Sequence, residues 1–126
     1  NDYGAHYFLM RLFGLVEGWT EEALHHIQKI LSDAITDKRP QFRKSPPAAL
    51  LSFARLFSGQ STCFLDHCLS GDNNLSWDMH YAALLVIHSD QTNHLKNQYQ
   101  CQLQMLVNAD VDSLVQLKAK SILGLG

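Results

Sequence analysis

Apolar residues recur along this chain at helical spacing, in blocks separated by prolines, glycines and short polar runs. The clearest block runs from Glu17 to Asp37. There Leu24, Ile27, Leu31, Ala34 and Ile35 form one stripe at intervals of three and four, the period of an α-helix. Thr20 stands where an N-cap is needed, and Glu21 and Glu22 complement the positive end of the helix dipole. Trp19 and Leu24 occupy the two positions of a hydrophobic staple. Residues 3–16, YGAHYFLMRLFGLV, are apolar nearly all round, with His6 and Arg11 the clear exceptions, which predicts a helix buried on several sides.

KRPQFRKSPP then breaks the pattern, because Pro40 cannot continue a helix, and Ser45 before Pro46 opens the next one. That helix carries Leu50, Leu51, Phe53, Ala54 and Phe57 before Gly59 stops it. A shorter one, STCFLDHCLSG, ends at Gly71, where GDNN signals a turn. SWDMHYAALLVIHSD follows with Ser76 as its expected N-cap. QTNHLKNQYQCQLQMLVNA reads as one helix with Leu95, Tyr99, Leu103, Leu106 and Val107 on a face. The final helix places Val111, Leu114, Val115, Ala119, Ile122 and Leu125 together. Seven helical segments and no convincing alternating strand predict an all-α fold of stacked antiparallel helical hairpins; a compact irregular bundle is the competing arrangement. The expected organisation is one helical domain over 1–126, with 38–45 as a basic, proline-containing loop. A chain beginning at Asn1 rather than Met is expected to be a piece of a longer protein.

Two stretches carry a resemblance. In VQLKAKSILGL, the residues Val115, Gln116, Ala119, Ile122, Leu123 and Gly124 resemble the last helix of an armadillo repeat. DMHYAALLVI, through Ala82, Ala83, Leu84, Leu85 and Ile87, is similar to a HEAT or armadillo core helix. The resemblance implies an α-solenoid and a role in binding another protein or peptide. Armadillo repeats that hold extended peptides carry Asn directly after that Gly, where this chain has Leu125.

Composition narrows the field. With 126 residues the chain can bury a core, and 46% hydrophobic with 17% charged residues is globular usage. A net charge of −2 argues against a nucleic-acid footprint. No apolar run approaches the ~18 residues that would suggest a membrane span. Cys63, Cys68 and Cys101 are odd in number and irregularly spaced, which favours a reducing, intracellular compartment, cytoplasmic or nuclear. Asn74-Leu75-Ser76 fits the short glycosylation acceptor pattern.

The candidate chemistry is thin. Cys63 and His67 lie four apart, yet a zinc site needs a second ligand pair, and His88, His94 and Cys101 match no such spacing. His25 and His26 point about 100° apart on a helix and chelate together poorly. Nothing resembles a nucleophile turn or a phosphate-binding loop. The expectation is therefore a non-catalytic interaction module, a scaffold or adaptor, with no catalytic residue, metal or cofactor. Self-association through residues 3–16 and 111–125 is the first alternative, and a metal- or thiol-dependent enzyme the second. The partner surface is expected at Gln98, Tyr99 and Gln102 on the glutamine-rich helix and at Leu114, Lys118 and Ile122 on the last. Lys38, Arg39, Arg43 and Lys44 form a basic patch around Phe42. The adjacent Ser45-Pro46 suits proline-directed phosphorylation, which would set a dianion at a helix N-terminus.

Overall fold

A computed structural model describes residues 2–69, 76–108 and 112–125, and they are all-α. The helices are α1 (Asp2–Leu15), α2 (Glu21–Ile35), α3 (Ser45–Leu56), α4 (Thr62–Cys68), α5 (Trp77–Ser89), α6 (His94–Gln98), α7 (Gln100–Asn108) and α8 (Ser113–Leu123), with 3-10 turns at Pro40–Phe42 and Ser58–Gln60. The GDNN turn at 71–74, the first two residues of the glycosylation pattern and Val111 lie outside the described residues. The chain divides into two compact units, 1–64 and 65–126, with the boundary inside α4.

In the first unit α1 and α2 both pack on α3. The stripe of α2 goes inside as its spacing predicts: Ile27, Leu31, Ala34 and Ile35 are buried, and Thr20 Oγ1 accepts the Ala23 N–H at 3.1 Å. Burying each such large aliphatic side chain contributes about 1.5–3 kcal/mol. Trp19, at the first staple position, also reaches back to the preceding helix. Its indole N–H donates to the Phe13 carbonyl at 3.0 Å, and its ring lies 6.0 Å from that of Phe13, so it ties the start of α2 to α1.

The all-round burial expected of α1 is corrected. Among its described side-chain positions only Met10, Phe13 and Gly14 are buried, while Phe8 is 65% and Leu15 59% exposed. One stripe faces α3, and Gly14 is what lets it do so. A Cβ built on Gly14 would stand 2.7 Å from Ser52 Oγ and 2.8 Å from Ser52 Cα, too close for real atoms. At that crossing Ser52 Oγ donates to the Met10 carbonyl.

In the second unit α5 and α7 both pack on α8. Met79, Ala82, Ala83, Leu84, Val86 and Ile87 of α5 are buried. From α8 come Val115, Ala119 and Ile122, with the fully buried Ala119 keeping the packing surface low. Gly124 ends α8 at φ 75°, a left-handed conformation that glycine adopts without steric cost, and its N–H bonds back to Lys120 and Ser121. The expected single helix over 91–109 is broken at Tyr99 into α6 and α7. Asp90 starts α6, its carboxylate accepting from Thr92 N–H, Thr92 Oγ1 and Leu95 N–H at 2.6–3.1 Å. Those donors, the Leu95 amide foremost, hold the Asp90 carboxyl below its usual pKa. Ser76 precedes α5, but its hydroxyl goes to the Asp78 carboxylate rather than to a backbone N–H.

Candidate functional site

The first unit carries a cleft of about 290 Å³ between the start of α1 and the Pro40–Phe42 turn with the residues that follow it. Pro40 ends the extended run after α2 and folds Gln41 and Phe42 into a 3-10 turn beside α1. Phe42 is the centre of the arrangement. Its ring lies 5.1 Å from Tyr3 at 88° and 4.8 Å from His6 at 69°, both edge-to-face. The Arg39 guanidinium sits 4.3 Å from the Phe42 centroid, a cation–π distance. Tyr7 forms another wall of the cleft, with the Arg11 guanidinium 5.7 Å from its ring.

The charges here differ in what they are free to do. Arg39 is held by Asp37 in a forked pair, with contacts of 2.6–3.1 Å from Nη2 and Nε. That fork is the principal reason the Asp37 carboxyl sits below, and the Arg39 guanidinium above, its ordinary pKa. It is also the one ion pair among the described residues. Arg43 and Lys44 are exposed, line the cleft and have no ion-pair partner among the described residues. Lys38, the fourth member of the expected basic patch, is exposed but does not line it.

Ser45 is placed differently from expectation. It is 1% exposed, and its Oγ lies 2.7 Å from His6 Nδ1. Its hydroxyl joins α3 to α1 beneath the cleft, out of a kinase's reach in the folded chain.

The residues expected to bind a partner are dispersed by the fold. Tyr99 is 2% exposed, and its hydroxyl donates to Asp66 Oδ1 at 2.6 Å. Ile122 is buried, Gln102 and Lys118 are half-buried, and Gln98 and Leu114 are exposed. Tyr99 and Ile122 are therefore core residues, placed inside by the same helical stripes that identified them. The glutamine-rich stretch keeps only a shallow hollow lined by Cys101, Gln104, Met105 and Asn108.

Among the described residues no group of three His, Cys, Asp or Glu is placed to hold a metal. Cys63 is exposed, and its Sγ lies 3.4 Å from the Gln60 carbonyl. Burial pushes the Cys68 thiol up to about 12, so it is not a nucleophile near neutral pH. His6, Tyr3 and Tyr7 were not among the expected site residues. Their signal was the aromatic content of the first helix, which reads locally as core.

The cleft therefore sets the rings of Tyr3, Tyr7 and Phe42 beside the exposed Arg43 and Lys44. The comparisons with known proteins bear on that description. No family model and no solved structure matches the chain. It is 34% identical over 125 residues to "Bilin biosynthesis protein CpeY" of a Synechococcus strain, which covers 98% of this chain and 29% of that protein. It is 34% identical over 87 residues to "Uncharacterized phycocyanin operon protein Y" of Pseudanabaena tenuis, covering 69% of this chain and 19% of that one. The chain thus spans less than a third of the length of the curated relatives it matches. These names overturn the expectation of a non-catalytic scaffold or adaptor. A similarity that runs through nearly the whole chain leads to a protein of bilin biosynthesis.

Proposed function

We propose that this chain forms part of an enzyme that works on bilins, of the lyase type, joining a linear tetrapyrrole to a cysteine of an acceptor protein. The observation that carries this reading is the 34% identity to the bilin biosynthesis protein across 98% of the chain. The relative named for a phycocyanin operon supports a phycobiliprotein subunit as the acceptor. In the proposed step the acceptor's S–H adds across an exocyclic carbon–carbon double bond of the bilin. Sulfur bonds one carbon and a proton reaches the other, so nothing leaves and no oxidant or reductant is used. The protein's part is to hold the bilin extended and to exclude competing orientations.

The helical architecture supports a repeat-type reading as well. In each unit two earlier helices pack on the last long one, α3 in the first and α8 in the second. Stacks of such units build extended binding surfaces. A cytoplasmic site of action belongs with this reading. The nuclear alternative falls away, since both relatives come from organisms without a nucleus.

The test is a reconstitution with the purified protein, a phycobilin and an acceptor subunit stripped of its bilin. Absorbance of the acceptor in acidic urea reads covalent attachment. The expected outcome is faster and more uniform attachment with the protein present. Equal rate and equal product without it would remove the proposal.

A further inference from the structure

The cleft of the first unit can be assigned a ligand group. It combines three features: aromatic walls, a half-open volume and two cations outside the ion pair of the described residues. Tyr3, Tyr7 and Phe42 supply apolar faces and edges, which favour a flat π-system. At about 290 Å³ it lies at the low end of small-molecule pockets, roughly 300–1,000 Å³, so it fits part of an extended ligand better than all of it. Arg39 is already occupied by Asp37, which leaves Arg43 and Lys44 as the two positive groups available to an incoming anion. The Arg43 guanidinium matches a carboxylate's two oxygens with two parallel N–H donors.

We propose that this cleft holds one propionate-bearing end of a bilin, with the carboxylate on Arg43 and Lys44 and a pyrrole ring against Tyr3 and Tyr7. The assignment rests on the bilin reading above and deepens it by naming where the pigment's acid group goes. The floor of the cleft is prepared for this role. The His6–Ser45 bond joins α1 to the first residue of α3, and Ser45 itself lines the cleft.

The experiment titrates the purified protein with biliverdin and with biliverdin dimethyl ester, following the visible absorbance of the bound pigment. Both acid groups are blocked in the ester. The variants are Arg43→Gln, Lys44→Gln, the double variant, and Lys38→Gln as a control on the same loop outside the cleft. All three positions are exposed in the folded chain, and circular dichroism checks that each of the four variants keeps its helices.

Loss of charge-assisted bonds is expected to weaken biliverdin binding about tenfold in each cleft variant and more in the double one. Lys38→Gln should stay within twofold, and the ester should bind wild type and double variant alike. If wild type binds biliverdin and the double variant binds it equally well, the assignment of the cleft is overturned and the bilin reading stands. If wild type binds neither pigment, both fall. If Lys38→Gln weakens binding as much as Arg43→Gln, the effect is general charge, and the cleft is again overturned as the site.

Discussion

Cys68 and the two exposed cysteines differ in chemistry because of their surroundings alone. Desolvation disfavours the Cys68 thiolate and pushes its pKa to about 12, while Cys63 and Cys101 meet solvent. Alkylation with iodoacetamide at pH 8 is expected to modify the two exposed thiols in the native protein. Cys68 should react only after denaturation, and mass spectrometry of the peptides checks this. His80 shows the same physics with the opposite charge. It is buried in α5, and burial lowers its pKa from 6.5, so the folded state resists protonating it. Below pH 6.5 the unfolded chain takes up a proton that the folded one does not, and stability falls as pH falls. His80→Gln should flatten the slope of unfolding free energy below about pH 6.5 in urea titrations. Tyr99 makes one bond worth testing. Tyr99→Phe keeps the ring in the core and removes the hydroxyl bonded to Asp66. Because Asp66 is exposed, the loss is expected to be about 1 kcal/mol rather than the 1.5–3 kcal/mol of a buried charged bond, and denaturant midpoints will measure it.

At the scale of elements, the crossing of α1 over α3 decides the shape of the first unit and the position of the cleft wall. Gly14→Ala gains helix propensity of about 0.8–1 kcal/mol. Against this stands overpacking on Ser52, whose Cα is backbone and cannot turn aside, at about 1–3 kcal/mol. The net expectation is destabilisation of up to about 2 kcal/mol, read as a fall of up to roughly 8 °C in melting temperature. Gly59→Ala, with nothing within 4 Å of the added carbon, is the control and should change little.

Such elements were legible to different depths. The cap at Thr20 and the stripe of α2 were plain in the sequence, because both depend on residues within one or two turns. The break at Tyr99 was not, since Leu95, Tyr99 and Leu103 keep helical spacing straight through it. The outward face of α1 was misread because composition alone does not say how many neighbours a helix has. The cleft was half legible. Phe42 among four basic residues stood out, but its partners Tyr3 and His6 come from about forty positions away, and only the folded chain brings them together. Ser45 was noticed for its neighbour Pro46, and its burial depends on His6, equally distant.

For the molecule as a whole, the two compact units repeat one design, two helices received by a third, and among the described residues no helix is long and apolar enough to cross a membrane. The proposed pigment site belongs to the first unit alone. The chain's two tryptophans are divided between them. Trp19 is half-buried with its indole on the Phe13 carbonyl, and Trp77 is 50% exposed beside Tyr81. Each half of the protein is therefore born with its own optical label. Emission from Trp77→Phe should start bluer and shift red as the first unit melts. Trp19→Phe should start near the colour of tryptophan in water and report the second unit, so one fluorimeter distinguishes a chain that melts in a single transition from one that melts in two.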